Sequence, residues 1–274
     1  MGKIRNLSQL LNALENGYKV TKSTKTAAPG PEKDERHFCI SVAGKKIDID
    51  SLYSEVYSLC ENYLCEGEAD IHVRISEEDI AYEREEAKQE HVSYGDSYLE
   101  TLAVYRKIAE ALLEYDIFLM HGAVVAEGQD AYMFTAKSGT GKTTHIQKWL
   151  KNLENGYVVN GDKPLIRITD TEVEACGTPW CGKEKMNKNC IVPLRAIVFM
   201  KRGENNTIKE INYSEAFQYL LQQTYQPNNA DGMRKMLKLL MRIKGKVRFY
   251  RHIFNNMKED AFDVSYGVLT GGKE

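Results

Sequence analysis

The chain has 274 residues, 42% of them hydrophobic and 28% charged, with a net charge of −2. That length can bury a substantial core, either as one large α/β domain or as a main domain with a smaller companion, and the second arrangement is expected. A near-neutral balance gives no general pull toward nucleic acid or membrane, so function has to come from local features.

The opening residues, MGKIRNLSQLLNALENG, hold no long apolar core and no small-residue cleavage site, and a cytoplasmic protein without a membrane span is expected. Six cysteines are too sparse for a disulfide framework and should be reduced thiols. Cys176, Cys181 and Cys190 cluster without a histidine at zinc-ligand spacing, which reads as loop or core thiols and argues against a structural metal. A peripheral helix is expected before residue 21. The polar run 21–36, with Pro29, Gly30 and Pro31, reads as a linker or exposed loop.

From Phe38 to Ser76 the pattern predicts a small α+β unit: a strand, a helix carrying Leu52, Val56, Leu59 and Leu64, and the alternating strand IHVRIS. Ser76 then opens an acidic, solvated stretch. After Ser97, apolar residues at helical spacing (Leu99, Leu102, Tyr105, Ile108, Leu112) predict a helix docked on the main core. Two β-type runs follow, FLMHGAVVAEG and AYMFTA, separated by the turn Gly128-Gln129-Asp130. The second leads into a glycine loop, then a helix through Ile146 and Trp149, then the strand YVVNGD, which together make a βαβ unit. Strands are predicted in LIRIT, VEACG, AIVFMKRG, NTIKEI and VRFYRHIF. Helices are predicted from Ser214-Glu215, in MRKMLKLLMRI and in KEDAFDVSYGVL.

The loop Lys137-Ser138-Gly139-Thr140-Gly141-Lys142-Thr143-Thr144 has the composition of a phosphate cradle. Such a loop turns consecutive amides inward, which calls for glycine where φ must be positive, and it faces the positive end of a helix. Lys142 is expected as a solvated, ligand-facing charge on the β- and γ-phosphates, and the Thr143 hydroxyl as a magnesium ligand at the helix start. Ala136 replaces the first glycine of the usual G-x-x-x-x-G-K-[ST] pattern. The plainer reading is a glycine-rich turn between strand and helix. Asp162, at a strand end twenty residues after Lys142, suits a second metal ligand or a proton-transfer group, against the alternative of a turn aspartate before Pro164. His121, at the end of FLMHG, by itself reads as a hydrogen-bonded structural histidine.

His121-Gly122, the loop from Ser138 to Thr144, and Val158-Val159-Asn160-Gly161-Asp162 together resemble the HPr kinase/phosphorylase C-terminal-domain and phosphoenolpyruvate carboxykinase-like superfamily. The resemblance covers about residues 97 to 270. It implies that Lys142 and Thr143 bind phosphate and magnesium, that Asp162 matches the second aspartate of a pair, and that His121 matches an active-site histidine. The chain departs from the pattern at Gly161, where the family places the first aspartate.

Two later segments have open roles. Gly177–Asn189 reads as an exposed loop in which Trp180 either packs on the core or forms a lid, with Lys183 available to a phosphate. Residues 232–252 hold eight Lys or Arg and no acid. That run reads as a solvated basic helix face, as a docking surface for an anionic partner, or, more weakly, as an RNA contact.

The expectation is therefore an α/β fold: a mixed central β-sheet with a P-loop over 97–274, preceded by an N-terminal α+β portion over 1–96. The expected function is ATP-dependent phosphoryl transfer, with ATP and Mg2+, to a serine or other hydroxyl on a protein, peptide or small molecule. Its alternative is a nucleotide-binding regulator with little transfer activity. Catalytic roles fall to Asp162, His121 and Lys142. The sequence leaves the oligomeric state open, a homo-oligomer included.

Overall fold

A computed structural model describes residues 35–89 and 91–271. The expected peripheral helix and most of the linker lie outside the described residues. The N-terminal portion is a three-stranded sheet in the order β1-β2-β3, built from β1 (His37–Val42), β2 (Lys45–Asp50) and β3 (Ile71–Arg74). β1 and β2 are antiparallel, and β3 runs parallel to β2. Phe38, Ile40, Ile47 and Ile49 point to one face and are buried, the period-two pattern of a half-buried sheet. Of the expected first helix only α1 (Glu55–Cys60) forms. Leu52 is exposed before it, and Leu64 instead bridges Ile40 on β1.

The acidic stretch after Ser76 is helix α2 (Glu77–Gln89), solvated along its outer face and buried at Ile80, Glu83 and Ala87. Ser76 starts it: the Asp79 carboxylate accepts from the Ser76 amide at 3.0 Å, a capping-box contact, and acidic residues in the first turn suit the positive helix end. The apolar stripe that would have announced the helix is broken by Glu83, which is buried only because Arg106 Nε donates to it at 2.6 Å. Arg106 belongs to α3 (Asp96–Leu112), the helix predicted after Ser97. One face of α3 packs on the small sheet. The same buried cluster continues into Ile117, Leu119, Leu165 and Trp180, so α3 is shared between the two parts of the chain.

The larger sheet comprises β4 (Ile117–Leu119), β5 (Ala123–Glu127), β6 (Asp130–Thr135), β7 (Gly156–Asn160), β8 (Leu165–Ile168), β9 (Val173–Cys176), β10 (Ile191–Arg202), β11 (Thr207–Ile211) and β12 (Arg248–Phe254). It is mixed, and long β10 joins its halves. Ile191–Pro193 pair antiparallel with β9, whereas the rest of β10 lies parallel to β6 on one side and β12 on the other. Helices α5 (Tyr213–Gln223) and α6 (Ala230–Arg242) cover one face, on Val124, Met133 and Ile197. Helices α4 (Lys142–Asn152) and α7 (Ala261–Thr270) cover the other, on Val125, Phe134 and Val198. Alternation along each strand thus fills two cores, as a sheet covered on both faces requires.

FLMHGAVVAEG is not one strand: β4 pairs with β8, β5 pairs with β6 and β7, and the chain changes partners at Met120–Gly122. The βαβ unit is split as well, because β5 lies between β6 and β7 and is antiparallel to both.

Candidate functional site

β6 ends at Thr135, buried Ala136 follows, and the chain turns through the glycine loop into α4. Gly139 and Gly141 have φ of +72° and +108°, the conformations for which the sequence supplies glycine. A side chain at Gly141 would also meet Asn256 Nδ2 at 3.2 Å. The first helical amide bond runs from His145 N to Gly141 O at 3.1 Å, so the amides of Lys142, Thr143 and Thr144 form the positive end of α4. Lys137, Ser138 and Thr144 are exposed, and Thr140 and Thr143 are partly so.

Residues that the sequence reading did not single out hold the loop from outside. The Arg202 guanidinium, at the end of β10, donates to Thr140 O and Gly139 O, both at 2.8 Å. Asn256 Nδ2, just past β12, donates to Gly141 O at 3.1 Å. Parallel pairing of β10 with β6 and β12 brings both residues to the loop. Nothing in their local sequence marks them.

His121 sits where the chain passes from β4 to β5, and it is buried. Its amide donates to Gln223 O at 2.7 Å, and its Nδ1 lies 3.0 Å from Gln223 Oε1. An amide oxygen can only accept, so Nδ1 carries the proton and Nε2 presents its lone pair. Lys142 Nζ lies 3.0 Å from that Nε2. Burial of the imidazole depresses its pKa and the Lys142 charge adds to this, while Asp162 works the other way, so the ring is neutral at pH 7. Lys142, expected to be solvated, is half-buried, and burial of its ammonium takes its pKa down to about 8.

Asp162 follows β7 in a turn built by Asn160, whose Oδ1 accepts from the Asp162 amide at 2.9 Å and the Lys163 amide at 2.6 Å. Asp162 O accepts from the Gly122 amide at 2.9 Å, tying this turn to His121. One carboxylate oxygen lies 3.4 Å from His121 Nε2, and the other is ion-paired with Lys163. Burial alone would raise the Asp162 pKa, but the Lys163 ammonium outweighs it and holds the carboxyl well below its usual range. The structure therefore brings together His121, Lys142 and Asp162, and it adds Lys163, which the sequence reading missed. Lys163 is 1% exposed, and its own carbonyl accepts from Tyr105 Oη at 2.7 Å. Its only sequence signal is its place beside Asp162.

Gly161 is closed to a side chain: a Cβ there would stand 2.9 Å from Cys181 O and 3.3 Å from Met186 O. The loop supplying those carbonyls is anchored by Trp180, which stacks on Tyr105 at 4.2 Å and donates from Nε1 to Thr101 O at 3.0 Å. Trp180 is thus a packing residue and not part of a lid, while Lys183 is exposed. Cys176 and Cys181 are buried free thiols and Cys190 is a partly buried one. Several residues of the basic run are paired within the protein. Lys235 pairs with Asp231 and Glu114, Arg242 with Asp116, and Arg251 with Glu215, while Lys246 donates to Thr169 O and Asp170 O.

Among the described residues, no group of three or more His, Cys, Asp or Glu side chains is arranged to hold a metal ion, and no helix is long and apolar enough to cross a membrane. No protein-family model matches the chain, and no curated protein matches it. Among solved structures it is similar to the Hpr(Ser) kinase/phosphatase from Coxiella burnetii, at 9% identity and a TM-score of 0.27, over 45% of this chain and 92% of that one.

Proposed function

We propose that the chain is an ATP-dependent phosphotransferase whose acceptor is a serine or other hydroxyl of a protein, peptide or small molecule, with residues 97–274 as the nucleotide-binding part. One observation carries the reading: the half-buried Lys142 ammonium at the start of α4 lies beside a neutral imidazole and an ionised carboxylate. A desolvated cation at a helix N-terminus is strongly favoured by an incoming anion, and a proton-handling pair next to it suits transfer chemistry.

In this reading the amides of Lys142, Thr143 and Thr144 and the Lys142 ammonium neutralise the β- and γ-phosphates, with the remaining residues from Lys137 to Gly141 wrapping them. One carboxylate and one hydroxyl, with phosphate oxygens completing the set, match what magnesium usually takes from a protein, so Asp162 and Thr143 are the residues that would hold it. Held there, the ion would supply neutralisation of phosphate charge. His121, fixed by Gln223, keeps Lys142 aimed at the loop. Asp162 is too acidic to be a strong base, so its part is to orient the acceptor hydroxyl and draw its proton as the bond to phosphorus forms. The reading places the protein in the cytoplasm, with a nucleotide and an acceptor as partners and no membrane or nucleic acid.

The ion pair between Asp162 and Lys163 favours a second reading, a nucleotide-binding regulator with little transfer, because the lone carboxylate is already engaged. Incubation with γ-labelled ATP, magnesium and a lysate of the source organism separates the two. The first reading expects a labelled acceptor that is lost with Asp162→Asn, and the second expects tight ATP binding with no label transferred. Absence of ATP binding by calorimetry removes both.

A further inference from the structure

The thiols of Cys39 and Cys65 lie far apart in sequence and together in space. Cys39 is on β1, and Cys65 follows the turn after α1, where its amide donates to Cys39 O at 2.9 Å. The neighbouring pair Ile40 and Leu64 forms an antiparallel bridge, so the two cysteines face each other across a two-strand contact. Their sulfur atoms are 3.1 Å apart, and both residues are partly exposed. Cys60 and Cys176, by contrast, are buried. Burial and the contact with Cys39 push the Cys65 thiol up to about 12, and either sulfur can be the S–H donor across the 3.1 Å contact.

From this juxtaposition we propose that Cys39 and Cys65 are a modification site: a dithiol that closes to an intramolecular disulfide when the protein meets a peroxide. The Cys39 sulfur, as thiolate, attacks one peroxide oxygen, breaking the O–O bond and releasing water, and becomes a sulfenic acid. The Cys65 sulfur then forms the S–S bond and displaces the sulfenic oxygen, which leaves as a second water with the Cys65 proton. Two thiols and one hydrogen peroxide give one disulfide and two waters. A dithiol reductant reverses the change by thiol–disulfide exchange. The Lys46 ammonium, donating to Glu66 O at 2.8 Å, opposes the effect of burial on the Cys65 thiol without overcoming it.

The cross-link fastens the segment from Glu61 to Cys65 onto β1. Tyr63 in that segment is 1% exposed and shares the buried cluster that contains Trp180, so the bond would stiffen the packing beneath the loop bordering Asp162. Closing a loop of that length narrows the unfolded ensemble, and a rise in Tm of about 5 °C or more is expected.

The test uses the full chain, reduced, freed of reductant, and titrated with hydrogen peroxide. Non-reducing peptide mapping should show the Cys39 and Cys65 peptides joined before any other cysteine reacts, with the loss of two hydrogens and recovery by dithiothreitol. Cys65→Ser should abolish the link and leave a trappable sulfenic acid on Cys39, and Cys60→Ser should leave the link intact. The mapping is done on the unsubstituted chain, so a serine variant that fails to fold does not blunt it. Unlinked Cys39 and Cys65 peptides while other cysteines oxidise, or a link to Cys60 instead, would overturn the assignment.

Discussion

Lys142 Nζ stands 3.0 Å from His121 Nε2, so the first charge of helix α4 is held by a neutral imidazole. With its pKa near 8, about half of the unliganded protein at pH 8 carries an uncharged amine at this position. A bound phosphate favours the ammonium. ATP binding at pH 8, followed by calorimetry in buffers of different ionisation enthalpy, should take up roughly half a proton at this group. Lys142→Met should lose that uptake and bind ATP about 10- to 100-fold more weakly, the loss of a charge-assisted contact. Its thermal stability should hold or rise, because a desolvated charge is gone. Unchanged ATP affinity in the folded variant would remove the central claim.

The ion pair of Asp162 and Lys163 predicts strong coupling. Asp162→Asn leaves a nearly inaccessible ammonium without its counter-charge, and a loss of about 3–5 kcal/mol by denaturant titration is expected. Lys163→Met should cost a similar amount, and the double variant should recover most of it. Phosphoryl transfer should be absent from both Asn-bearing proteins. Transfer that persists in the folded double variant would mean that the carboxylate does not handle the acceptor hydroxyl.

Restoring an acidic pair with Gly161→Asp should fail. The new Cβ would press on Cys181 O, a backbone atom of a loop pinned by Trp180, so the loop must shift. Destabilisation by about 1–3 kcal/mol, with no gain in transfer, is expected. A variant as stable as the parent and more active would show that the loop yields freely.

Arg202 bridges two loop carbonyls with one planar group, which a lysine ammonium cannot copy. Arg202→Ala and Arg202→Lys should both weaken ATP binding by about 5- to 20-fold while moving the unfolding midpoint little, since the side chain is exposed. Rescue by lysine would show that charge alone is what the loop needs.

His145 is fully buried behind the glycine loop, and burial takes its pKa down to about 3 from an ordinary 6.5. Above pH 6.5 it is neutral in both folded and unfolded chains and contributes no pH dependence. Below that the unfolded chain binds a proton that the folded one refuses, so stability should fall by about 1.4 kcal/mol per pH unit from this group. Between pH 6.5 and 5, above the range of ordinary carboxylates, His145→Gln should reduce that slope in urea titrations. An unchanged slope would assign the acid sensitivity elsewhere.

The sequence by itself determined the features set by local periodicity and by single backbone demands. Helix α3 and most strands of the larger sheet, though not the break between β4 and β5, are legible because apolar residues recur at the period of each element, and the positive φ at Gly139 and Gly141 is what their glycines announce. Tertiary structure decided what depends on partners distant in the chain. Glu83 is a buried residue of a helix because Arg106 meets it, and Trp180 is an anchor because Tyr105 lies flat against it. Arg202 and Asn256 reach the loop only through the parallel register of β10 with its neighbours, and the basic run looked free because its acidic partners come from other segments. The same holds at the candidate site. His121, Lys142 and Asp162 were each named from sequence, but the imidazole between the two charges, the buried Lys163 behind the carboxylate and the carbonyls that close Gly161 to a side chain are relationships across space, which no local pattern encodes.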